Sequence, residues 1–198
     1  MPNFSAGRLR RMRARGGCGF SVALIGADGA GKSTAAEALR ASFGDHAICV
    51  YMGLHQEGRR MIRLPGLQLA TSLAARVWRG LIGRAQQSRG KLVIFDRWSA
   101  DALLEPVAPL GRTGRVRRWL LAHACPEPAL IVLLDAPGEV LAARTDSHDP
   151  IASERQRQRY LALRQRLPHM VVLDASRSAP ELRDDLIRLV RTGAAHER

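Results

Sequence analysis

The chain reads as an α/β protein: a parallel five-stranded sheet flanked by helices, with a short lid segment. Three observations predict this. Apolar runs of strand length recur at 19–25, 47–52, 91–95, 129–135 and 169–174. Segments rich in helix formers lie between and after them, at 33–43, 67–88, 99–104, 114–124, 137–145, 153–167 and 179–191. Most of the strand runs are continuously apolar rather than alternating, as expected of parallel strands buried on both faces. The order βαβαβααβααβα then implies helices on both sides of one sheet.

Residues 1–17 precede the first strand. They carry Arg8, Arg10, Arg11, Arg13 and Arg15 and no acid. Such a segment is expected to be a disordered basic arm, with an anchor on nucleic acid or acidic lipid as its functional alternative. No hydrophobic stretch follows before the first strand, so it does not read as a secretory signal. Residues 18–198 are expected to form a single domain, a size able to bury a full core.

The first strand, Phe20 to Ile25, runs into Gly26-Ala27-Asp28-Gly29-Ala30-Gly31-Lys32-Ser33-Thr34. This satisfies G-x-x-x-x-G-K-[ST], a P-loop, in the strand–loop–helix context that the motif requires. Gly26, Gly29 and Gly31 let backbone N–H groups turn inward around an anion. The helix that follows points its positive end at the same place. Lys32 is expected on the β- and γ-phosphates, and the Ser33 hydroxyl on Mg²⁺. ATP and Mg²⁺ are therefore the expected cofactors.

Composition sets further bounds. The net charge is +13, from 31 basic and 18 acidic residues. Lysine occurs only at Lys32 and Lys91, so the motif keeps a lysine where nearly every other cation is arginine. The basic balance implies anionic partners: nucleotides, sugar phosphates, nucleic acid or anionic membrane. Cys18, Cys49 and Cys125 lack metal-ligand spacing and are expected to be reduced, buried thiols in a cytoplasmic protein. No apolar run reaches 18 residues, so no membrane span is expected. Homodimer formation is left open.

Ligands of parallel sheets bind beyond the carboxyl ends of the strands. That rule lines Gly26, Gly53, Asp96, Asp135 and Asp174 along one rim. Asp96 ends an apolar strand beside Arg97, so Asp96 is expected to help hold Mg²⁺ and Arg97 to grip a phosphate. Asp135 is followed by Ala136 and Pro137, and reads instead as a cap for the next helix, with Pro137 at its first turn. Arg144, Arg155, Arg157, Arg159, Arg164 and Arg166 flank or follow a polar stretch at 145–150. The lid is placed at 144–155, with Arg144 and Arg155 catalytic through the charge that develops on a phosphoryl group in flight. Arg157, Arg164 and Arg166 are expected to be solvated.

In series, these features resemble the nucleoside-monophosphate kinases, and within them the thymidylate kinase-like branch. Asp28 inside the P-loop, Asp96-Arg97-Trp98, the stretch Leu73-Ala74-Ala75-Arg76, and Val171-Val172-Leu173-Asp174-Ala175-Ser176 carry the likeness. The resemblance spans about residues 19–191. It implies that Arg76 contacts the acceptor's phosphate and that Ala175 and Ser176 lie beside adenine. It also implies acceptor contacts at Gly53, Ser72, Arg97 and Asp101. There the chain departs from the family. Gly53 stands in place of an Arg-Glu-Pro ending, Ser72 in place of a stacking phenylalanine, and Asp101 in an altered segment after Trp98. The expected activity is transfer of the γ-phosphoryl of ATP to a nucleoside monophosphate or a related phosphorylated or hydroxylated metabolite. Thymidine monophosphate is not expected to be the best acceptor. The alternative is an ATP-switch protein that binds nucleic acid through its basic surface. A GTPase is disfavoured, since no Asn-Lys-x-Asp motif occurs.

Overall fold

A computed structural model describes residues 19–52, 65–99, 102, 104, 111–145, 149–167 and 169–196, with the backbone alone for 65–70, 72 and 194–196. The basic arm, Gly53, Asp101, the side chain of Ser72, the middle of the lid and most of the expected helix at 99–104 lie outside these residues.

The described elements alternate as expected. They are β1 (Ser21–Ile25), α1 (Lys32–Phe43), β2 (Ala47–Tyr51), α2 (Pro65–Gln87), β3 (Leu92–Asp96) and α3 (Arg112–Ala122). There follow β4 (Leu130–Asp135), α4 (Gly138–Ala143), α5 (Pro150–Ala162), β5 (Val171–Asp174) and α6 (Ala179–His196). The five strands form one parallel sheet in the order β2-β3-β1-β4-β5. The continuous apolar runs are explained by position. All five residues of central β1 and of β3 are buried.

β2 lies at the sheet edge, and from Ile48 onward its side chains are alternately half-buried and exposed. Cys49 is therefore exposed, which corrects the expectation that every cysteine is a buried hydrophobe. Successive side chains of a strand point to opposite faces of the sheet; Ile48 and Val50 pack against the core, while Cys49 and Tyr51 on the other face meet solvent. Cys125 does conform. It is buried, and its thiol donates to the Arg76 carbonyl at 3.0 Å.

Parallel strands need crossovers, and these are right-handed by steric preference. The β1-to-β2 crossover leads one way along the sheet; the β2-to-β3, β3-to-β4 and β4-to-β5 crossovers lead the other. Handedness therefore puts α1 on one face and α2, α3 and α4–α5 on the other. α6 packs on α1, and α3 packs on α2. β1 thus stands where crossover directions diverge, the position at which parallel sheets open a crevice for ligands.

Between the sheet and α1/α6 the core is apolar. Leu39 and Leu186 are both fully buried in it. Leu186→Ala is expected to cost about 2–5 kcal/mol, the range for emptying a closed core site. Val77→Ala, on a side chain of α2 that is 44% exposed, is expected to stay within about 0.5 kcal/mol of the parent. Urea denaturation of both variants checks the contrast.

Candidate functional site

The loop after β1 is shaped by close backbone approach. Gly26 (φ 149°) and Gly29 (φ 83°) are in conformations that L side chains rarely adopt. A Cβ on Gly26 would sit 2.5 Å from the Leu134 carbonyl oxygen, and one on Gly29 would sit 2.4 Å from that of Leu141. The loop is therefore pressed against the end of β4 and against α4. Ala27 and Ala30 are buried beneath it. α1 starts at Lys32 with Gly31 as its N-cap. The first turn of an α-helix directs N–H groups outward that have no acceptor within the helix. Ser33 and Thr34 lie exposed on this first turn.

Lys32 is 6% exposed, and its ammonium donates to the carbonyls of Gly26 at 2.8 Å and Ala27 at 2.6 Å. Its aliphatic stem is covered while its charge stays inside the loop. Ser33 Oγ donates to Asp96 Oδ2 at 2.8 Å. This bond joins the first helical turn to the end of β3, 63 residues later in the chain. Asp96 is buried, and its other oxygen, Oδ1, has no hydrogen-bond partner. A buried carboxylate oxygen left without a donor is costly, so it calls for a cation or ordered water. Among the described residues no cluster of three His, Cys, Asp or Glu exists. Mg²⁺ bound with a nucleotide needs no such cluster, because phosphates and water fill most of its sphere. A hydroxyl and a carboxylate side by side fit Mg²⁺, and Ser33 and Asp96 would hold it.

Arg97 has φ 64°, the one positive φ among the described non-glycine residues. Its N–H still bonds to the Leu24 carbonyl at 3.1 Å, which extends the β1–β3 ladder by one step. The turn after it sends Trp98 into the core, 5% exposed. Arg97 itself meets Asp28 of the loop, Nη2 to Oδ1 at 2.7 Å. Asp28 gathers more partners. Lys32 Nζ lies 3.8 Å away, and Gln156 of α5 donates to Oδ2 at 3.1 Å. Gln156 Oε1 in turn accepts from the Asp28 backbone N–H at 3.3 Å. Burial alone would raise the Asp28 pKa. The hydrogen bonds from Gln156 and Arg97, and the charges of Lys32 and Arg97, more than offset it, so its carboxyl titrates below the usual range.

The expectation for Asp135 is corrected. α4 begins at Gly138 with Pro137 as its N-cap, and its first N–H is taken at 3.0 Å by Glu154 of α5, not by Asp135. Asp135 ends β4 too early to reach that turn. Its carboxylate receives Arg157 of α5 in a bidentate pair, Nε to Oδ1 at 2.7 Å and Nη2 to Oδ2 at 2.9 Å. Arg157 is accordingly not solvated as expected. It is three-quarters buried and also donates to Glu154 at 3.0 Å. The Asp135 carboxylate holds the guanidinium charged, above even the ordinary arginine range.

The lid arginines separate. Arg144 sits at the end of α4 and donates to the Ala175 carbonyl at 2.8 Å. Ala175 is buried, and its N–H bonds to the Asp135 carbonyl at 2.7 Å. Ser176, beside it, donates from N–H and hydroxyl to Asp174. Arg155 is exposed on α5. Arg76 is 3% exposed, and its Nη1 donates to the Leu121 carbonyl at 3.1 Å, a bond that reaches α3 and not the loop.

Gly26 to Thr34, Asp96 and Arg97 are thus brought together at one strand rim. Gln156 and Arg157 escaped the sequence reading, because an amide and one arginine among six carry no spacing signal.

Two stability contrasts follow from this geometry. Arg97→Gly is expected to be more stable than Arg97→Ala by about 1 kcal/mol, since only glycine adopts φ 64° without strain. Equal denaturation midpoints would show that the backbone there relaxes freely. Arg157→Ala is expected to cost about 1.5–3 kcal/mol by leaving Asp135 without its donor, while Arg155→Ala, at an exposed site, stays within about 0.5 kcal/mol. Chemical denaturation of the pair reads the difference directly.

No protein-family model matches the chain, and no curated protein matches it either, so a functional reading rests on the chemistry of the site itself.

Proposed function

We propose that the chain is a P-loop kinase, similar to the thymidylate kinase-like enzymes, that transfers the γ-phosphoryl of ATP to a small acceptor. One observation carries this reading. The Ser33–Asp96 pair, with its unsatisfied buried oxygen, lies directly beside a glycine loop that encloses a lysine ammonium. Hydroxyl, carboxylate, ammonium and first helix turn are together the donor set that a nucleoside triphosphate and Mg²⁺ require. Bound Mg²⁺ would supply charge neutralisation on the phosphates.

The chain's own residues then have separate tasks. Lys32 exchanges loop carbonyls for phosphate oxygens and follows the charge as it develops. Ser33 and Asp96 fix the position of the metal. Arg97 exchanges Asp28 for an anionic group on the acceptor or in transfer. Asp28 keeps Arg97 aimed until that exchange occurs. Catalysis is by positioning and electrostatics, with the acceptor oxygen attacking in line and ADP leaving.

The acceptor is a nucleoside monophosphate or a related phosphorylated or hydroxylated metabolite. Thymidine monophosphate is not the preferred one, because Ser72 offers no ring for stacking and Asp101 brings a carboxylate to the segment after Trp98. A screen of nucleoside monophosphates and sugar phosphates for acceptor-dependent ADP release tests the activity and its specificity together. No release with any acceptor, despite tight Mg-ATP binding, would sink the kinase reading.

Lys32→Ala is expected to lower turnover by about a hundredfold or more, with the fold intact by circular dichroism. Asp96→Asn is expected to weaken the Mg²⁺ dependence of turnover, and Asp135→Asn to reduce stability more than Mg²⁺ dependence. Metal titrations of both variants, run beside thermal melts, decide between them. The reverse result would move the metal to Asp135.

A further inference from the structure

Two neighbouring helices leave large apolar side chains in water. On α2, Val77, Trp78 and Leu81 are 44%, 65% and 54% exposed. On α3, Val116 and Trp119 are 54% and 60% exposed. The two helices pack together on one side of the sheet, tied by the bond from Arg76 to Leu121. Two tryptophans this exposed are unusual, since burying an aromatic side chain is strongly favourable.

The charges on the same helices are one-sided. α2 and α3 together hold seven arginines and no acid. α1 and α6, on the opposite face, hold five basic residues and four acids. Not every arginine on α2 and α3 points outward. Arg76 is buried, and Arg118 donates to the carbonyls of Ala102 and Leu104. Arg84, Arg112, Arg115 and Arg117 are exposed. The surface is thus apolar, aromatic and cationic, without a single carboxylate among the residues of its two helices.

We propose that the α2–α3 face docks on an anionic lipid bilayer. Each feature has a place there. Tryptophan and aliphatic side chains lie at the boundary between headgroups and acyl chains, and arginines reach the phosphates around them. A second copy of the chain fits less well, because it would set arginine against arginine with no acid to answer. A nucleic acid duplex would take the arginines but leave the aliphatic residues uncovered. No described helix is long and apolar enough to cross a membrane. The attachment is therefore peripheral, and it is independent of the reading of the nucleotide site.

The test is vesicle co-sedimentation of the full chain, with pure phosphatidylcholine and with an equimolar mixture of phosphatidylcholine and phosphatidylglycerol. Binding is expected only to the mixture, weakened by salt and accompanied by a blue shift of tryptophan emission. The double variant Trp78→Ser with Trp119→Ser keeps all the charge. It is expected to lose about tenfold in partitioning, as is Arg84→Glu with Arg115→Glu. Both variants alter exposed positions, and circular dichroism confirms that they fold. Deleting 1–17 is expected to leave most of the binding, which separates this face from the basic arm. Three results would overturn the proposal: no binding to the mixed vesicles, binding that is indifferent to the double tryptophan variant, or sedimentation equilibrium showing a dimer that this variant splits. Preference for a single-stranded oligonucleotide over the vesicles would overturn it as well.

Discussion

The space between Gly26 and the Leu134 carbonyl is too small for a methyl group, and most of the site depends on that. β1 is central and wholly buried, so its end cannot shift. The chain leaves it by turning hard against the end of β4. It then passes as closely under Leu141 before α1 can begin. These two contacts fix where α1 starts, and thus where Lys32 and Ser33 stand relative to Asp96. A side chain at either glycine would lift the loop off its floor and carry the lysine with it.

Above that floor the electrostatics are organised around one carboxylate. Asp28 answers Arg97 and Gln156 directly and Lys32 at longer range. It is half exposed, so each pairing is individually modest. Their combined effect is geometric. The strained backbone at Arg97 is held by a ladder hydrogen bond on one side and by this ion pair on the other. Strain of this kind survives only where the surroundings over-determine it.

The fold was largely legible because continuous apolar runs are what burial on both faces demands, and all five strands fell within a few residues of their places. The tight loop between β1 and α1 was legible for a different reason. Glycines at 26, 29 and 31 mark a backbone that turns through positive φ. Asp135 misled because a proline two residues later fits either a cap or the end of a strand. The choice was made by Arg157, 22 residues along, and no local pattern announces such a partner. The bond from Arg76 to the Leu121 carbonyl of α3 is hidden in the same way, because its partner lies 45 residues away on another helix.

The helices α4 and α5 have a mechanical consequence. The Gly138 N–H bonds to Glu154, and a Cβ at Gly138 would collide with Glu154, so the pair has no room to slide internally. Each end of the pair also holds something else. Gln156 grips the loop at Asp28, and Arg144 grips the turn after β5 at Ala175. The α4–α5 pair is therefore a single strut between the glycine loop and the β5 turn, and a change in its seating would bear on both.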